Sequence, residues 1–249
     1  MIMLTNFTRH TFTLICSGAL LAISTLQTVH AHGIYATQRQ SEMVFIYGHG
    51  PSDETFVADK FKGAVAYDTE GKPSELSLKY KHGYPALPAN ESIALVTASY
   101  DNGFWSEKPD GEWENLPKTE VEGAKQGGHY MKYATTILNK DAAAGQVTGM
   151  PLEIVPLKNP LTLKQGDTLP IQVYANGKPA ADVEVVAEFV TDRENNVVKT
   201  DSEGKAEITI RNNGLNVLAT ETSEPIADTT KADKLAKFAT LSFTFAADH

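Results

Sequence analysis

Ala239-Thr240-Leu241-Ser242-Phe243-Thr244-Phe245 decides the fold class. Apolar residues fall at every second position and hydroxyl residues fill the gaps, which is the period of a β-strand and not of a helix. The same alternation recurs upstream. Val183, Val185, Ala187 and Phe189 oppose Asp182, Glu184 and Glu188, while Ala206, Ile208 and Ile210 oppose Glu207, Thr209 and Arg211. Each reads as a half-buried strand of an antiparallel sandwich, one face on a core and the other in water. The turn signals Asn176-Gly177-Lys178-Pro179, Asp201-Ser202-Glu203-Gly204 and Asn212-Asn213-Gly214 separate these strands at short intervals. Residues 157–249 are therefore expected to form an immunoglobulin-like or prealbumin-like β-sandwich.

The region before it is less regular. Strands are expected at 42–47, 62–67, 75–81, 92–100, 130–138 and 152–155. Long loops rich in Gly, Pro and charge lie between them, the longest over 101–128, with a short helical turn near 120–125. Pro156, Asn159 and Pro160 mark a boundary. The chain thus reads as all-β, with two antiparallel β-sandwich-like domains: residues 32–156, carrying the long loops, and residues 157–249.

The first 31 residues read as a cleaved signal peptide. Arg9 precedes a largely apolar run over 11–26, and Val29-His30-Ala31 ends it with small residues at the two positions signal peptidase inspects. The run is too short for a comfortable membrane span, and no other segment is a candidate. An exported, periplasmic protein beginning at His32 and carrying no membrane span is the expectation. Cys16, the single cysteine, falls inside the signal. The processed chain then has neither disulfides nor thiolate ligands, and a metal site must use His, Met, carboxylate or backbone donors. The formal net charge of −9 argues against nucleic acid as a partner.

A free N-terminal histidine offers two adjacent nitrogen donors, its α-amine and its imidazole, which together close a chelate ring on a borderline metal ion. His32 would be such a residue. His49 sits between Gly48 and Gly50, and His129 follows Gly127-Gly128, so the backbone at both is free to come close to a ligand. His32 is either a metal ligand or a histidine that merely follows the cleavage site, and His49 and His129 are each either a ligand or an ordinary histidine in a glycine-rich turn. In the processed chain no HxxxH, HxH or HExxH spacing decides between these readings. His82 lies between Lys81 and Gly83, with Lys79 nearby to repel a cation, and His249 ends the chain. Tyr35, Tyr47, Tyr130 and Tyr133 could line a pocket, although aromatics at strand ends more often pack, and Trp105 and Trp113 are expected to form a local loop core. No nucleophile elbow, phosphate loop or dinucleotide fingerprint is present, so no enzymatic activity is expected.

Several stretches together resemble a known family. They are His32-Gly33-Ile34-Tyr35, Ile46-Tyr47-Gly48-His49-Gly50, Tyr67-Asp68, Asp101-Asn102-Gly103-Phe104-Trp105-Ser106 and Glu120-Val121-Glu122-Gly123-Ala124, followed by Gly128-His129-Tyr130-Met131-Lys132-Tyr133-Ala134, Gly177-Lys178-Pro179 and Asn213-Gly214-Leu215-Asn216-Val217. In this order they resemble exported bacterial proteins described as the periplasmic component of cobalt/nickel transport systems. The resemblance implies a periplasmic metal-binding or delivery protein with a C-terminal immunoglobulin-like domain. Its motif histidines fall on His32, His49 and His129, which are then the expected metal ligands. Nickel or cobalt is the ion the resemblance implies; nitrogen donors also suit copper and zinc. The implied partner is an inner-membrane metal importer. Two other functions fit the same residues: a copper redox protein with an N-terminal histidine brace, and a metal-free structural β-sandwich module.

Overall fold

The computed structural model describes residues 32–49 and 52–246; residues 1–31, where the sequence suggests a signal peptide, and Gly50 and His249 lie outside them. The first part of the chain runs through β1 (Gly33–Arg39), β2 (Glu42–His49), β3 (Ser52–Glu54), β4 (Phe61–Tyr67), β5 (Pro73–Leu76), β6 (Lys79–Lys81), β7 (Tyr84–Ala86), β8 (Leu95–Glu107), β9 (Trp113–Glu114), β10 (Gln126–Ile137) and β11 (Leu152–Pro156). It continues through β12 (Thr168–Ala175), β13 (Lys178–Pro179), β14 (Glu184–Val186), β15 (Val197–Lys199), β16 (Lys205–Thr209), β17 (Leu215–Pro225) and β18 (Lys234–Thr244). The fold is all-β and sandwich-like, as the alternation predicts.

A nine-stranded sheet of order β15-β14-β17-β18-β10-β8-β4-β5, with β9 on β8, forms the middle layer. On one face, Leu95, Tyr133, Leu218, Leu241 and Phe243 pack with Ile154, Leu169, Ile171 and Ile208 of the four-stranded sheet built from β11, β12, β13 and β16. The opposite face meets the five-stranded sheet built from β1, β2, β3, β6 and β7. There Val96, Ala98, Tyr100 and Ala134 pack with Ile34, Phe45 and Tyr47. Beside them, Val217, Ala219 and Phe238 pack with Tyr35, Ile46 and Phe189.

This layering changes what β18 means. Its hydroxyl residues, expected on a wet face, are buried: Thr240 is 1% exposed and Ser242 is 0%. The strand lies mid-sheet between two cores. A buried hydroxyl is costly without a partner, and both have one. Ser242 Oγ lies 2.9 Å from Thr136 Oγ1, and Thr240 Oγ1 donates to the Ile34 carbonyl at 2.7 Å.

The purely antiparallel expectation needs one correction. β18 pairs with β10 in parallel, from Gly128↔Lys234 to Ile137↔Phe243. Parallel neighbours need a long crossover, and the intervening strands of the chain's second half supply it. Strands from both sides of the boundary read near residue 156 consequently share the middle sheet. The long loop expected over 101–128 is shorter than that: β8 runs on to Glu107 and β10 begins at Gln126, forming two arms of one hairpin. A bulge conceals this in the sequence. His129 pairs with Phe104 but Met131 with Asp101, so β8 carries one extra residue beside Gly103, whose φ is +79°.

β1 is the edge strand of its sheet and runs across β10 and β18. Gly33 permits that approach. A Cβ there would stand 2.8 Å from Phe238 Cε1 and 3.2 Å from Thr240 Cγ2, so any other residue would force either the Phe238 ring or β1 to move. The N-terminal end of β1, where His32 sits, is thereby held against the middle sheet.

Candidate metal centre

Strand register brings His32 and His49 together. β1 and β2 pair Gly33 with Gly48 and Ile34 with Tyr47, so one further step sets His32 opposite His49. β2 then folds back onto β3, pairing Tyr47 with Glu54 and His49 with Ser52. Directly paired residues project to one face of a sheet; His32, Tyr47, His49 and Glu54 therefore share a face. Gly48 makes the fold-back possible, since a Cβ there would lie 2.5 Å from the Ser52 carbonyl oxygen.

The resulting geometry is compact. The His32 and His49 rings meet edge to face at 4.4 Å between centroids, and the His32 ring lies 5.3 Å from that of Tyr47. His32 Nε2 is 3.6 Å from Glu54 Oε1. One potential ligand atom from each of His32, His49 and Glu54 lies within 4.8 Å of the others. Donors arranged tetrahedrally at about 2.1 Å from an ion stand about 3.4 Å apart, so small side-chain rotations would suffice to enclose one.

Electrostatics favour the ligating form. Burial, followed by the field of His49, lowers the His32 pKa, and Glu54 opposes this only in part. A neutral imidazole is the form that binds metal. Two imidazoles and a carboxylate suit nickel, cobalt, zinc and copper, and the same composition holds Fe(II) in non-haem oxygenases.

His129 does not join this group. On β10, Tyr130 and Lys132 face the side of His32, whereas Met131 and Tyr133 face the other core. His129 alternates with Tyr130 and shares the side of Met131. There its Nε2 lies 2.8 Å from Asp101 Oδ1 and its ring stacks on Phe104 at 4.5 Å. The third group beside His32 and His49 is the Glu54 carboxylate. His82 occupies the turn between β6 and β7 with φ of +52°.

The pairing leaves a signature on Asp101. Burial pushes its carboxyl up, but hydrogen bonds from His129 and from the Gly103 amide outweigh that, and the pKa stays below the usual carboxylate value. A carboxylate whose pKa is depressed by folding adds stability above its unfolded pKa and loses it as pH falls through the folded one. Asp101→Asn is therefore expected to destabilise the protein at neutral pH by about 0.2–1 kcal/mol, since the pair is partly exposed. In thermal melts from pH 7 to pH 2, the gap between wild type and variant should close at the acid end.

Beside the histidine pair opens a cavity of about 420 Å³, walled by Tyr47, Tyr100, Trp105, Trp113, Tyr130 and Lys132 and reaching His32 and Glu54. Of the four tyrosines singled out in the sequence, Tyr47 and Tyr130 line it, while Tyr35 and Tyr133 belong to the cores. Trp105 and Trp113, expected as a loop core, are cavity walls; Trp105 Nε1 donates to the Asn102 carbonyl at 3.2 Å.

Glu54, Tyr100 and Lys132 were not among the sequence candidates. For Glu54 a signal existed: the turn-forming dipeptide Gly50-Pro51 follows His49 in the sequence, and β3 pairs back onto β2 beside Tyr47 and His49.

A protein of Haemophilus influenzae (strain ATCC 51907 / DSM 11121 / KW20 / Rd), described as uncharacterized, is 27% identical to this chain over 168 residues, covering 67% of the chain and 71% of that protein. No solved structure matches. A family model described as Domain of unknown function (DUF4198) matches residues 26–224. Spanning most of the chain, from before His32 to near the end of β17, that match makes this protein a member of the DUF4198 family.

Proposed function

We propose that this protein binds one divalent transition-metal ion, nickel or cobalt, through His32, His49 and Glu54, and delivers it in the periplasm to an inner-membrane importer. The observation that carries this reading is the convergence of three ligand atoms within 4.8 Å, from residues at the ends of three strands. Cleavage after Ala31 would add the His32 α-amine as a fourth donor and close a chelate ring. Exposure supports delivery over permanent retention. The side chains of His32 and Glu54 are 31% and 46% exposed, leaving the ion open to ligand exchange, whereas structural sites are closed.

Calorimetric titration of protein beginning at His32 with nickel, cobalt, copper and zinc tests the proposal. One ion should bind per chain, and one extra residue ahead of His32 should weaken binding at least tenfold by separating amine from imidazole. Absence of binding by all four ions would overturn the reading.

A further inference from the structure

The cavity beside the histidines carries positive charge and donors without acceptors. Lys132 is 3% exposed, lines the cavity, and has no hydrogen bond or ion pair among the described residues. Its Nζ lies 5.0 Å from the centre of the Phe238 ring and 5.8 Å from that of Tyr130. Burial pulls its pKa down to about 8, and the field of Glu221 opposes this only in part. Tyr130 Oη is likewise buried with no hydrogen-bond partner among the described residues. Buried donors of this kind are costly unless something accepts from them.

A bound dication sharpens the imbalance. Lys132 and Arg193 already lower the pKa of His32 by their fields, and Lys60 extends its ammonium along the cavity to Asn102 and Asn115. Among the described residues, Glu54 is the one carboxylate on the cavity wall. A bare ion would arrive against these cations, and an anion arriving with it would relieve the repulsion. The walls indicate the anion's shape. The Tyr47 and Tyr100 rings stack at 5.0 Å and 20°, and Trp105 and Trp113 add further aromatic surface. Such walls accept a flat ring.

We infer that the cavity binds a small planar organic carboxylate that also chelates the ion, with Lys132 and Tyr130 receiving its carboxylate and the tyrosine and tryptophan rings its planar body. The inference rests on the metal site proposed above. The cargo is then a metal–chelator complex, with the protein supplying His32, His49 and Glu54 and the ligand supplying further donors.

Calorimetry with nickel chloride alone, and with nickel premixed with one equivalent of pyridine-2-carboxylate, tests this. Wild-type protein should bind the premixed complex at least tenfold more tightly than nickel alone. Lys132→Met should abolish that gain while binding nickel alone at least as tightly as wild type, and Tyr130→Phe, which keeps the ring, should reduce the gain at least threefold. Melting curves of both variants confirm folding. Equal affinity of wild type for nickel and for the complex, or an undiminished gain in folded Lys132→Met, would overturn the inference. Failure of wild type to bind nickel in either form strikes the metal site itself, and the inference falls with it.

Discussion

His49→Ala is expected to lower nickel affinity by about a hundredfold. Structural zinc sites with four protein ligands are worth about 10–16 kcal/mol, so one ligand accounts for about 3 kcal/mol, or about two decades in Kd. His49 faces His32 edge to face at 4.4 Å, and its removal leaves one imidazole and Glu54 as side-chain donors. His129→Ala is the informative companion. With its ring on Phe104 and its Nε2 on Asp101, it should leave nickel affinity within about threefold of wild type, the size of a surface perturbation. A three-histidine site would lose comparable affinity with either substitution. Titration of both variants separates the two ligand sets.

Phe189→Ala should produce the largest loss of stability, about 3–5 kcal/mol, the range for truncating a buried phenylalanine. Phe189 is 0% exposed. Its ring meets Tyr35 edge to face at 6.3 Å and Phe238 at 5.3 Å, and the Arg193 guanidinium lies 4.8 Å above it. It therefore ties β1 to β18, next to Gly33. The void left by the ring would loosen the seat of β1, and His32 directly precedes that strand. Urea unfolding should show the loss in midpoint, and titration of the folded variant should show nickel affinity reduced by about tenfold. Unchanged affinity in a destabilised variant would mean that the β1 packing and the site are uncoupled.

Strand character was legible wherever one period dominated. β18, β16 and the segment around β14 all announce themselves by alternation. β1 does not, because its residues Gly33 to Thr37 are all buried and Ile34 and Tyr35 face different cores. In β12, Leu169, Ile171 and Val173 keep the period, but Pro170 interrupts the run. The partnership of β10 with β18 was beyond reach, since alternation reports which way a residue faces and not which strand lies beside it. That pairing decides that Thr240 and Ser242 are buried.

The site divides along the same line. His32 and His49 were candidates from their chemistry and their glycine neighbours, and the β1–β2 register makes them adjacent. Glu54 depends on the β2–β3 register across Gly50-Pro51. His129 is turned away by the strict alternation of β10, and its partner Asp101 is set by the bulge in β8. Lys132 would ordinarily read as a residue on a wet face; only the stacking of sheets places it in a core.

Anomalous diffraction from a nickel-loaded crystal of protein beginning at His32 tests the central claim most directly. The predicted result is one nickel peak at about 2.1 Å from a nitrogen of His32, a nitrogen of His49 and an oxygen of Glu54. A peak at His129 and Asp101, or none near His32, would contradict it.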